Sequence, residues 1–122
     1  MKRLFIILSI ILLINSYYAN SQIEYSVDKW MEYVEELALE TEDTERIESL
    51  YADLSYLIEH PFDLNAVTEE QLKRLPFLSD RQIEQLLSYR KRYGNMVSIY
   101  ELKNIEDIDF QTISLLLPFV YI

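Results

Sequence analysis

From Pro61 onward the chain repeats itself with an offset of 30 residues, and this repeat sharply limits the folds open to it. Thr68 falls opposite Ser98, and Leu72-Lys73 opposite Leu102-Lys103. Leu75, Leu78, Ile83, Leu86 and Leu87 fall opposite Ile105, Ile108, Ile113, Leu116 and Leu117. Every matched apolar position is apolar in both copies. Thr68 and Ser98 stand where a helix N-cap belongs. Ser79 and Asp109 stand at the next one, and Ser79-x-x-Gln82 is a capping-box pattern. Each copy therefore predicts a short helix, a tight turn and a second helix. Two copies facing each other bury both apolar stripes. The connector "RKRYGNMV" carries Gly94, the only glycine of the chain, which can supply a left-handed backbone position there.

Two further helices are expected upstream. In residues 26–40, Val27, Trp30, Val34 and Leu37, with Tyr33 beside them, recur at helical spacing while acids fill the other face. Ser26 is the N-cap candidate. A second helix, capped by Thr41 or Thr44, runs to about His60 on the stripe Ile47, Leu50, Tyr51, Leu54, Leu57 and Ile58, and Pro61 stops it. The short connection predicts a helical hairpin over residues 22–60. The fold class expected is all-α. Ahead of this lies a leader-like segment, residues 1–21. Lys2 and Arg3 precede an apolar run from Leu4 to Ile14, shorter than the roughly 20 residues a membrane span needs. Ala19-Asn20-Ser21 offers small residues for cleavage between Ser21 and Gln22. The expectation is a cleaved signal peptide and export to the periplasm or cell envelope, with an uncleaved signal anchor as the alternative.

The repeat carries a family resemblance. The stretch "DLNAVTEEQL", the "LP" that opens the first turn, "IEQLLSYRKRYG" after it and "SIYELKNI" before the second turn are similar to the tandem helix-hairpin-helix domain of ComEA-type competence proteins. The resemblance covers residues 62–120, about half of the chain. It implies a tandem helix-hairpin-helix domain over residues 61–122, on which the N-terminal helical hairpin is expected to pack. Upstream, "WMEYVEELALETEDTERIESLYADLSYL" resembles the N-terminal segment of exported helix-hairpin-helix proteins of Bacteroidetes, where a larger envelope domain often follows. Domains of this family bind duplex DNA without reading its sequence. Glycines in the hairpin let backbone N–H groups approach a phosphate beside a helix N-terminus. This chain departs there. Phe77 and Ser79 replace the first glycine pair, and Asp107 and Asp109 replace the second. A ring at Phe77 blocks close approach, and two carboxylates meet phosphate with like charge. Asp109 has a second reading as a helix cap.

Charge points the same way. The chain carries 21 acids against 11 Lys and Arg, a net charge of −10. Residues 22–70 hold 15 acids and 2 bases, whereas residues 71–122 hold 6 acids and 7 bases. An acidic surface repels polyanions, with a reach that salt limits to about 8–10 Å. The one basic cluster is Arg90-Lys91-Arg92, with Lys73, Arg74 and Arg81 near it. It reads either as a patch for phosphate or an acidic partner, made of Arg81, Arg90, Lys91 and Arg92, or as a solvated helix end that complements the macrodipole. The acidic first hairpin is a candidate internal partner for it.

Catalytic chemistry finds no foothold. With a single glycine, neither a P-loop nor a GxGxxG turn can be written. The chain has no cysteine, hence no disulfide and no thiolate metal site. His60 is the only histidine and reads as a helix-terminal residue. Glu32, Glu35, Glu36 and Glu40 lack the Glu-x-x-His partners of a di-metal bundle and read as a solvated face. No cofactor, metal or small-molecule substrate is expected. The tail "LLLPFVYI" is apolar to Ile122 and either packs back on the core or docks on a partner. In the longer proteins this one resembles, the chain continues from about here. The expected function is a non-enzymatic structural or protein-interaction module of the envelope, its partner an envelope protein or a further domain of a longer protein. Phe77, the acidic hairpin and the apolar tail are its expected exposed surfaces. The alternative is sequence-independent DNA binding.

Overall fold

A computed structural model describes the backbone of residues 2–122 and the side chains of residues 2–13 and 29–122. The protein is mostly helical. Helix α1 spans Lys2–Glu40 and α2 spans Thr44–Glu59, followed by the short strand β1, Phe62–Asp63. Then come α3 (Glu69–Leu72), α4 (Asp80–Tyr93), a 3₁₀ turn (Ile99–Asn104) and α5 (Phe110–Leu116). A second 3₁₀ turn (Leu117–Phe119) leads into β2, Val120–Tyr121.

Helix α1 passes through Ser26 without a break, so no helix begins there. No glycine or proline interrupts residues 2–40, and nothing in the backbone chemistry forces a stop. The side chains at the expected cap Ser26 and at the expected cleavage boundary, Ser21 and Gln22, lie outside the described residues. In α1, residues Leu4 to Leu13 are exposed on every side. Among the described residues, no helix is long and apolar enough to cross a membrane.

The cap of α2 is Asp43, not Thr41 or Thr44. Its carboxylate accepts the Arg46 N–H at 3.0 Å, while Thr41 Oγ1 accepts the Asp43 N–H at 3.2 Å. Three cap-competent side chains fall within residues 41–44, and the carboxylate occupies the position that reaches the third helical N–H. The helix ends at His60, whose N–H and Nδ1 both lie 3.0 Å from the Tyr56 carbonyl.

The repeat appears in the caps. Thr68 and Ser79 each form a complete capping box, with Gln71 and Gln82 respectively. Ser98 accepts the Tyr100 N–H, and Asp109 accepts the Thr112 N–H at 2.8 Å. The copies differ in winding, since the first begins with a turn of α-helix and the second with a 3₁₀ turn. Gly94 closes α4 with φ 79°, as its position requires.

One hydrophobic core joins the elements between Trp30 and Val120. Trp30 and Val34 of α1 and Leu54 and Leu57 of α2 are buried with the paired stripe residues Leu72, Leu75, Ile83, Leu86, Leu102, Ile105 and Leu116. Helix α1 packs on α2, on α5 and on the turn Leu117–Phe119. Phe119, wholly buried, meets Trp30 edge-on at 6.2 Å, and Tyr51 lies 5.4 Å from Trp30 on another side. Burying a ring of that size stabilises by roughly 2–3 kcal/mol. The C-terminal tail therefore packs back on the core. Val120 pairs in parallel with Phe62 and Tyr121 with Asp63, and the Leu64 N–H donates to the Tyr121 carbonyl at 2.9 Å.

Candidate functional site

The two turns between the paired helices are where the resemblance places phosphate contact. In the first turn Phe77 is half-buried rather than displayed. Its ring stands edge-on to Tyr33 of α1 at 6.1 Å and lies 5.7 Å from Phe119. Phe77 thus joins α1 to the C-terminal turn, in place of the exposed surface expected of it. Burial, and after it the nearby Glu40 carboxylate, push the Tyr33 phenol above its ordinary pKa. Ser79 is occupied with its own capping box: its hydroxyl accepts the Gln82 N–H at 3.1 Å and Gln82 Oε1 accepts the Ser79 N–H at 2.9 Å.

In the second turn Asp107 has φ 66°, the only non-glycine residue with positive φ among those described. Short polar side chains tolerate this left-handed conformation better than others do. The Asp107 carboxylate accepts Arg81 Nε at 2.6 Å, and its backbone carbonyl accepts Gln82 Nε2 at 3.1 Å. That same Nε2 also reaches Thr112 Oγ1 at 3.1 Å. The start of α4 in the first copy is therefore bound to the turn of the second. The Asp107 contact holds the Arg81 guanidinium still more firmly in its charged form. Asp109 serves as the cap of α5, its Oδ1 accepting both the Thr112 hydroxyl and the Thr112 N–H at 2.7 and 2.8 Å. Those two donors, the hydroxyl first, hold its carboxyl below the ordinary range.

The basic run divides. Arg90 points inward, and its Nη1 donates to the carbonyls of Leu64 and Val67 at 3.0 and 2.7 Å. Lys91 and Arg92 are exposed, with the Arg92 guanidinium 5.5 Å from the centre of the Tyr93 ring. Lys73 pairs with Glu69 at 3.0 Å on its own helical turn. The structure brings Arg81 to Asp107 and leaves Arg90, Lys91 and Arg92 at the far end of α4, so the four cations make no single patch. Among the described residues, no ion pair joins this cluster to the acidic hairpin.

Three residues absent from the expected set organise this region. Asn65 binds the Met96 backbone through both ends of its amide. Gln82 joins the two turns. Glu101 accepts the Val97 N–H at 2.8 Å and the Tyr89 hydroxyl at 3.1 Å. The Val97 N–H foremost, then the Tyr89 hydroxyl, lowers the Glu101 pKa. Asn65 lies within "DLNAVTEEQL", where its place after Asp63 in an Asx-type turn was the available signal. Among the described residues, no group of three or more His, Asp and Glu stands ready to hold a metal ion. No family model, curated protein or solved structure matches the chain.

Proposed function

We propose that the chain is a non-enzymatic structural or protein-interaction module of the bacterial cell envelope, exported through its N-terminal segment. In this reading residues 61–122 are a tandem helix-hairpin-helix scaffold that has given up DNA. The observation that carries it is the position of Phe77: the place a phosphate would take is filled by a ring wedged between Tyr33 and Phe119. Support comes from the second turn, where Asp107 engages Arg81 and Asp109 engages the Thr112 N–H at the start of α5. Of the basic run, Arg90 is committed to backbone carbonyls. The acidic balance of residues 22–70 adds a repulsive field.

The competing function is duplex-DNA binding through Lys91 and Arg92, which are exposed. Fluorescence anisotropy of the full chain in mild detergent, against a labelled duplex of about 25 base pairs, separates the two. No saturable binding at low salt is the expected result. Micromolar binding that falls steeply with salt, and disappears in the Lys91→Ala, Arg92→Ala double variant, would overturn the proposal.

A further inference from the structure

A groove of about 680 Å³ opens between the end of α1 and the start of α2, in the size range of clefts that accept ligands. Its walls follow helical spacing. Tyr33, Leu37 and Glu40 come from one face of α1, and Ile47, Leu50 and Asp53 from one face of α2. Pro76, in the turn between α3 and α4, joins them. Leu37, Ile47 and Leu50 are only half-buried, so the groove keeps an apolar strip open to water. Tyr33 is half-buried too, and its hydroxyl has no hydrogen-bond partner among the described residues. The charge around this strip is mostly negative. Residues 40–53 carry six acids, Glu40, Glu42, Asp43, Glu45, Glu48 and Asp53, against one base, Arg46. Arg46 lines the groove with Glu40 and Asp53, so the acids outnumber it there as well. None of these seven side chains is ion-paired among the described residues, and no internal cation offsets the surplus of five negative charges.

We propose that this groove receives a cationic amphipathic helix of a partner protein, its apolar stripe on Leu37, Ile47 and Leu50 and its Lys or Arg residues facing Glu40 and Asp53. The occupant is a helix because the groove walls are helices and offer no free strand edge. The partner must therefore satisfy its own backbone hydrogen bonds. It is cationic because the acidic surplus repels nucleic acid, anionic lipid and acidic helices alike. A second copy of this chain does not supply such a helix. Helix α4 is the described helix richest in bases, but its apolar residues Ile83 and Leu86 are buried in its own core. Arg81 is bound to Asp107 and Arg90 to backbone carbonyls, which leaves Lys91 and Arg92 against Asp80 and Glu84 on that helix. The inference rests on the interaction-module reading and deepens it by naming the partner's chemistry.

The probe is a labelled, amidated peptide of about 18 residues with Leu along one helical face and Lys on the rest. Its anisotropy is followed as the full chain is added, held in solution by a fluorinated surfactant that mixes poorly with hydrocarbon side chains. Saturable binding is expected. The same residues in an order without helical periodicity should bind about tenfold more weakly or worse. Glu40→Lys with Asp53→Lys should weaken binding by about tenfold or more. Glu35→Lys with Glu59→Lys makes the same change of net charge away from the groove and should stay within about threefold of the parent. All four residues are exposed, and far-ultraviolet circular dichroism checks that each variant keeps its helices. No saturable binding, equal binding of the aperiodic peptide, or equal weakening by the two pairs of substitutions would overturn the proposal. The labelled duplex is titrated with the same chain. Failure of the peptide without DNA binding removes only the groove assignment, whereas salt-sensitive DNA binding lost with Lys91→Ala and Arg92→Ala removes the interaction-module reading itself.

Discussion

Asn65 holds Met96 as a neighbouring strand would. The Asn65 Nδ2 donates to the Met96 carbonyl at 2.9 Å, and the Met96 N–H donates to Asn65 Oδ1 at 2.7 Å. The side chain thereby ties the start of the first repeat to the connector and satisfies both polar groups of a residue whose side chain is buried. Asn65→Ala removes both bonds and leaves the Met96 peptide groups without this partner. It should destabilise the protein by about 1–3 kcal/mol, read as a lower midpoint in urea with an unchanged slope.

Arg90 and its two neighbours in the basic run should behave oppositely. Arg90→Ala strips the Leu64 and Val67 carbonyls of a charged donor, and about 1.5–3 kcal/mol of stability should go with it. Lys91→Ala and Arg92→Ala act on exposed side chains and should stay within about 0.5 kcal/mol of the parent. Thermal denaturation of the three single variants checks both statements.

Replacing Phe77 with glycine restores the residue type that the resembled family carries, but not its function. The ring's contacts with Tyr33 and Phe119 are lost, and the half-buried site should lose about 2 kcal/mol. Phe77→Leu should cost less, because it keeps much of the apolar volume. Near-ultraviolet circular dichroism should register the Gly variant as a changed aromatic environment, and anisotropy should show no gain in DNA binding.

At Asp107 the backbone decides. With φ at 66°, Asp107→Gly relieves left-handed strain and should leave the melting temperature unchanged or raise it, although the Arg81 contact goes. Asp107→Val places a β-branched residue in the same conformation and should cost about 1–2 kcal/mol or more. A melting temperature for Asp107→Gly well below the parent's, and as low as that for Asp107→Val, would show that the Arg81 contact, not the dihedral, governs this turn.

Two carboxylates should contribute an acid limb to the stability. Hydrogen bonds from Thr112 to Asp109, and from Val97 and Tyr89 to Glu101, lower both folded pKa values. A carboxyl depressed on folding contributes stability above its unfolded pKa and loses it as pH falls through the folded value. Stability should therefore decline on acidification below the ordinary carboxylate range. Asp109→Asn keeps a cap-competent side chain without the titration, so its denaturation midpoint should change less with pH than the parent's does.

The elements that could be read from sequence are those whose determinants are local. Thr68, Ser79, Ser98 and Asp109 all cap as their positions indicate, because a cap and the N–H it satisfies lie within three residues. The cap of α2 is Asp43, two residues from Thr41 and one from Thr44; all three are competent, and spacing does not rank them. The β1–β2 pairing could not be foreseen: strands of two residues carry no periodicity, and Phe62 meets Val120 only through tertiary packing. The candidate site was legible as a set of turn positions but not in its wiring. Arg90 lies in an exposed-looking basic run, and its inward course depends on where the Leu64 and Val67 carbonyls point. Phe77 was marked by its departure from glycine, yet only the placement of α1 reveals what the ring meets.

The clasp between Phe62 and Val120 also orders events in time. A chain delivered from its N-terminus presents Phe62, Leu64 and Val67 before Phe119, Val120 and Tyr121 exist to cover them. Trp30 waits for Phe119 in the same way. Such long-range closure is the slow part of folding, because the loop must be closed before the contact repays it. The half-made protein is thus the form most open to chaperones and proteases, and the arrival of Phe119 through Tyr121 ends that exposure.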